Sequence, residues 1–211
     1  MKKATEQGIS FDKFKDPTSG KVELICLFYA GRGQATEDPN DPLYENYIWP
    51  QEQDIEENIE GTHFNSFFVG NELDHYGKLM GMGIFCHELG HALGLPDFYN
   101  TNPYVTLPRN PFGFWSIMDA GPYVNRANAP IGYTAYERSY LGWLKIKELT
   151  EPETVKLDPV SNKEGQLAAI VRSPNSRLEY FILENRTSDT WYPKEYKENR
   201  GGGYETFTFG D

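Results

Sequence analysis

The chain has 211 residues, 15% of them aromatic, with 20 Gly, 14 Pro and a formal net charge of −11. That length suits one domain with at most a small lobe appended, and the composition is globular and turn-rich rather than disordered. The charge argues against a nucleic-acid partner, which needs clustered Lys and Arg; it reads mainly as solubility, with Ca2+ held by some of the carboxylates as a minority reading.

Residues 1–7 open with two lysines but lead into no apolar signal-peptide core. The expectation is an intracellular chain, or a mature or excised piece of a longer secreted precursor. Residues 16–20, Asp-Pro-Thr-Ser-Gly, are a turn. Residues 22–30 form a nearly unbroken apolar run, expected as a strand buried on both faces. The acidic stretch 35–60 is turn-rich, with Ile48, Trp49 and Pro50 as a short strand or anchor, and residues 64–69 are a second strand. A helix is expected over residues 77–94, weakened by Gly81 and Gly83 and stopped by Gly94 and Pro96. Residues 97–132 are a long structured loop, and residues 133–140 are helical. Strands follow at 154–157, 167–171 and 178–183, the last two as a hairpin around Ser173–Ser176. The Gly201-Gly202-Gly203 tail reads as flexible. These elements make an α+β chain. No stretch spans a membrane: residues 79–95, the longest candidate, are interrupted by Cys86, His87, Glu88 and His91. Cys26 and Cys86 are too few for a disulfide framework and read as buried free thiols.

The chemistry lies in His87-Glu88-Leu89-Gly90-His91. Helical residues four apart sit about 40° apart around the axis and about 6 Å along it, so both imidazoles can face one ion. Glu88, offset by about 100° from His87, is placed to take a proton from a water beside that ion, as a general base. Catalytic zinc usually takes three protein ligands. Of the four histidines none lies beyond His91, so a third would have to be His63 or His75, upstream and without a spacing argument. Otherwise the ligand is a carboxylate. Gly94 lets the chain turn out of the helix and swing position 97 back, so Asp97 leads. Glu137, on the helix after the long loop, is the rival. Read structurally, Asp97 is a turn or cap residue and Glu137 belongs to a solvated helix face. Cys86 beside His87 makes a weak cysteine-peptidase pair, and no Gly-rich phosphate loop or nucleophile elbow is present.

Residues 86–99, Cys-His-Glu-Leu-Gly-His-Ala-Leu-Gly-Leu-Pro-Asp-Phe-Tyr, resemble the active-site signature of the immune inhibitor A family of secreted bacterial metallopeptidases. Phe114-Trp115-Ser116-Ile117-Met118-Asp119-Ala120-Gly121 resembles its methionine-turn loop. Residues 135–144 resemble the helix that follows, and residues 179–186 resemble a downstream strand. The likeness runs from about residue 22 to residue 186. It implies a zincin-like catalytic domain with a mixed twisted sheet and an active-site helix, residues 1–148, and a C-terminal β-rich portion, residues 149–211. It implies Zn2+ on His87 and His91, with Asp97 preferred to Glu137 as the third ligand on spacing, Met118 as a hydrophobic floor, protein or peptide substrates, and a secreted or cell-surface location. Tyr123 could donate to an oxyanion, or be one more packed tyrosine. The chain departs from the family in lacking a leader and in its tail after Glu184-Asn185-Arg186. The expected function is a zinc-dependent endopeptidase with Glu88 as general base; the alternative is an inactive zinc-containing binding or scaffold module.

Overall fold

A short helix, α1 (Lys2–Glu6), and a 3-10 turn (Asp12–Phe14) precede the first strand, β1 (Val22–Arg32). Two more strands follow, β2 (Gln51–Ile59) and β3 (Thr62–Leu73), and β3 lies between the others. It runs parallel to β1 from Val22↔Phe64 and antiparallel to β2 from Gln51↔Val69, which makes a mixed sheet. Along β3 buried and half-exposed residues alternate, as the two-residue period of a central strand requires. The computed structural model describes residues 2–102, 104, 106, 108–187, 195–199 and 204–208. The chain divides into two compact units, residues 1–96 and 97–211.

In the first unit two expectations need correcting, and a third, a short strand or an anchor at residues 48–50, resolves to the anchor. The apolar run is a strand, but it is not buried on both faces: β1 is a sheet edge, Val22 alone is buried along it, and Phe28 is 61% exposed. Residues 48–50 are not a strand; Pro50 is a fully buried anchor, and the strand begins directly after it. The expected helix over 77–94 is shorter. The second helix, α2, spans Gly83–Ala92. Ahead of it the Asp74 carboxylate accepts amide hydrogens from Tyr76 and Lys78, both at 2.9 Å, Gly77 takes φ +71°, and Leu79 bridges to Leu73. A side chain that satisfies its own following backbone favours a turn over a helix. Packing then holds α2 to the sheet through Phe85, whose ring centroid is 5.3 Å from Phe68 and 6.2 Å from Phe28.

In the second unit the long loop is ordered from within. The Asp119 carboxylate accepts hydrogen bonds from Asn110 at 2.6 Å and from the amides of Phe112 and Gly113 at 2.8 and 3.0 Å. Gly121 is obligatory there, since a Cβ would meet the Ser116 carbonyl oxygen at 2.3 Å. Phe114, Ile117, Met118, Val124 and Ala135 form the core around it. Helix α3 (Ala135–Tyr140) follows. A second sheet has the order β4 (Lys147–Glu148), β5 (Ala168–Arg172), β6 (Tyr180–Glu184). The last two are the expected hairpin, closing at Arg172↔Tyr180. Residues 154–157 are not a strand, so that expectation fails; the neighbour of β5 on the side away from β6 is β4. A final hairpin joins β7 (Glu195–Asn199) to β8 (Tyr204–Thr208). Residues 201–203, the expected flexible tail, lie outside the described residues. Mixed and antiparallel sheets with few helices make the chain α+β.

Candidate metal centre

Helix α2 presents His87 and His91 one turn apart, with ring centroids separated by 4.8 Å and planes at 85°. His87 and Glu88 are both 8% exposed, and His91 is half-buried. The helix ends at Ala92 with Leu93 as its C-cap, and Gly94 follows with φ +92°, a conformation that costs other residues strain. The reversed chain brings the Leu95 carbonyl oxygen to 2.8 Å from His91 Nδ1. A carbonyl only accepts, so Nδ1 carries the proton and Nε2 is left with its lone pair for a metal.

Two residues later stands Asp97. His87, His91 and Asp97 each offer one ligand atom, and the three atoms lie within 4.8 Å of one another. Two imidazoles and a carboxylate are a donor set that suits zinc, and a ligand histidine whose second ring N–H is held by a carbonyl is the usual supporting arrangement. Among the described residues this is the one group of three metal-ligating side chains, so nothing supports the Ca2+ reading. Glu88 stands outside the group. Its Oε2 accepts the backbone N–H of Glu52 at 2.7 Å, tying the carboxylate to β2.

Glu137 is placed quite differently from a solvated helix face. It is completely buried. Its Oε1 accepts the Ser116 hydroxyl at 2.8 Å, and its Oε2 accepts the Thr134 amide, while the Thr134 hydroxyl accepts the Glu137 amide at 3.2 Å. This is a capping box at the start of α3. Ser116 Oγ in turn accepts the Met118 amide at 3.0 Å, so Glu137 braces the methionine loop. Met118 itself is fully buried, and its carbonyl accepts the Phe98 amide at 2.8 Å. Thr134-x-x-Glu137 was the sequence signal for this brace; the Glu52 amide carried no signal, because any residue but proline supplies it.

The remaining candidates scatter. His63 lies on β3 opposite Asn58, and His75 Nδ1 is 2.5 Å from the buried carboxylate of Glu37. Tyr123 is half-buried in a 3-10 turn. Cys26 and Cys86 are free, as expected, but neither is fully buried: Cys26 is exposed and Cys86 intermediate. Partial burial pushes both thiols above their ordinary pKa, the opposite of an activated nucleophile. Among the described residues no helix is long and apolar enough to cross a membrane.

Residues 14–145 match the family described as immune inhibitor A peptidase M6, catalytic domain. The chain is 24% identical over 188 residues to the pre-pro-metalloprotease PrtV of Vibrio cholerae serotype O1, covering 79% of this chain and 20% of that protein. It is 24% identical over 178 residues to immune inhibitor A of Bacillus thuringiensis subsp. alesti, covering 71% of this chain and 25% of that protein. The chain thus spans about a fifth to a quarter of the length of these curated relatives. With more than half of its residues matched, and with the histidine pair, the Gly94 exit and the methionine loop inside the matched stretch, the chain belongs to the immune inhibitor A family of M6 metallopeptidases.

Proposed function

We propose that this chain is a zincin-like endopeptidase domain that takes Zn2+ on His87, His91 and Asp97 and hydrolyses peptide bonds with Glu88 as general base. The catalytic portion is residues 1–148, and residues 149–211 form a β-rich extension. The observation that carries the reading is the three-atom group on and after α2, with Glu88 on the same helix. Zinc, when bound, supplies a Lewis acid that polarises the scissile carbonyl and acidifies water. The protein's own part is positional. The His91 tautomer is set by Leu95, and Glu88 is held by the Glu52 amide where it can accept a proton and return it to the departing amine. Asp97 is preferred to Glu137 as third ligand because both Glu137 oxygens are engaged in bracing α3 and the loop. A structural zinc normally closes with four protein ligands; the three seen among the described residues favour an enzyme over a scaffold. The substrates are proteins or peptides, and the domain acts outside the cell, in line with the printed pre-pro form of the Vibrio relative.

The deciding experiment is Glu88→Gln. The variant is expected to bind one zinc per chain and to lose about 10²–10⁴-fold in kcat/KM on a casein-derived peptide. Unchanged hydrolysis would refute the role of Glu88, and a chain that binds no zinc would refute the centre.

A further inference from the structure

The second unit contains a basic, aromatic cavity of about 350 Å³ that the hydrolytic reading leaves unused. Its charged walls are Arg138, Lys163 and Arg186; its aromatic walls are Trp115, Tyr133 and Trp143. Among the described residues no Asp or Glu lines it, in a chain of net charge −11. Arg138 donates to the Val160 carbonyl oxygen, which fixes the guanidinium, and has no carboxylate partner among the described residues. Arg186 pairs through Nε with Glu184, yet its Nη2 is buried and makes no hydrogen bond there. Buried donors without acceptors are uncommon and ask for a ligand or a reason. Trp115 and Arg186 also line an adjoining cavity of about 950 Å³, whose other walls include Phe112, Tyr136 and Tyr180, and whose one acid is Glu184, already paired.

We infer that these adjoining cavities form a docking site for a carboxylate-bearing peptide. The carboxylate sits against Arg138 and Lys163, and a neighbouring apolar or aromatic side chain enters the aromatic cavity. A preset guanidinium favours the planar, two-oxygen geometry of a carboxylate. The walls Trp115, Tyr133 and Trp143 favour a ligand with an apolar body over a bare inorganic anion. The negative chain as a whole repels polyanions, so a single carboxylate on an otherwise apolar peptide is the best match. The carboxylate is the free C-terminus of the peptide, which places its two oxygens on the residue next to the side chain that enters the aromatic cavity. The site does not depend on hydrolysis.

The test uses the full chain carrying Glu88→Gln, loaded with zinc, so that peptides survive and the outcome is separate from the peptidase reading. N-acetyl-Phe-Phe with a free carboxylate, its C-terminal amide, N-acetyl-Phe-Glu amide and inorganic phosphate are titrated by calorimetry and by tryptophan fluorescence. Binding of the free acid with a Kd about 10-fold or more below that of the amide is expected. The Glu-containing amide tests that source: affinity no better than that of the plain amide supports the C-terminus, and affinity equal to that of the free acid would overturn it. Arg138→Gln should weaken the acid about 10-fold, with Arg138→Lys restoring part of the loss. Exposed Lys163→Gln, which leaves the Val160 contact untouched, should weaken it about 2- to 5-fold. Equal Kd values for acid and amide, no binding at millimolar peptide, or phosphate binding as tightly as the peptide would each overturn the inference.

Discussion

The backbone amide of Glu52, on edge strand β2, donates to Glu88 Oε2 on helix α2 across 2.7 Å. The proposed general base is therefore tied to a main-chain donor.

Substitution at position 52 should follow that rule. Glu52→Ala keeps the N–H and should leave kcat within about two-fold of wild type, whereas Glu52→Pro removes it. An edge strand tolerates proline, so the variant should fold. Losing a hydrogen bond to a charged acceptor, worth about 1.5–3 kcal/mol, should lower kcat about 10- to 100-fold. Steady-state kinetics on folded variants checks this; comparable kcat in the two would contradict it.

Asp97 and Glu137 should separate cleanly. Asp97→Ala is expected to lose zinc while keeping its melting temperature in chelator. Glu137→Gln should still bind zinc but melt lower, since it disturbs a buried acceptor with two donors, at a cost of about 1–3 kcal/mol. Zinc content and thermal melts read both. The reverse pattern would move the third ligand to Glu137.

Gly94→Ala places a Cβ on a residue at φ +92°. The expected cost is about 1–2 kcal/mol, together with weaker zinc binding, because the same turn delivers Leu95 and Asp97. Competition with a fluorescent chelator measures the second effect. Wild-type affinity in this variant would show that the turn does not set the site.

The Asp16 carboxylate accepts the amides of Ser19 and Thr18, each at 2.8 Å, and these bonds hold its pKa below the ordinary carboxylate value. A group whose folded pKa is depressed contributes stability that is present at neutral pH and lost as pH falls through the folded value. Asp16→Ala should therefore be less stable than wild type at pH 7. The difference should shrink once pH drops below the ordinary carboxylate range. Because Asp16 is exposed, the effect should be small, and identical urea midpoints across the range would disprove it.

The readable parts of the chain were those where local chemistry and packing agree. The HExxH spacing, the Gly94 exit, the alternating β3, the α3 segment and the β5–β6 hairpin all have signals within a few residues, and each is present. What escaped depends on distant partners. Strand β2, Gln51–Ile59, has mostly polar or charged residues and no period, because an edge strand needs no buried face. The apolar run of β1 does not say how many neighbours cover it. Residues 77–82 look helical until the Asp74 carboxylate is seen holding their backbone in a turn. Neither expectation for Glu137, rival ligand or solvated helix face, contains its bracing role, because its bond to Ser116 spans 21 residues. The grouping of the two histidines with Asp97 was legible from spacing; the Glu52 amide was not, since a main-chain donor has no letter of its own.

The five residues between His91 and Asp97 have a consequence for what change this segment can tolerate. One reversal at Gly94 fixes the proton on His91 and presents Asp97. Insertion or deletion of a single residue between His91 and Leu95 would shift both at once. Across that stretch tautomer and proposed ligand cannot be lost one after the other, so it has no half-functional length variants.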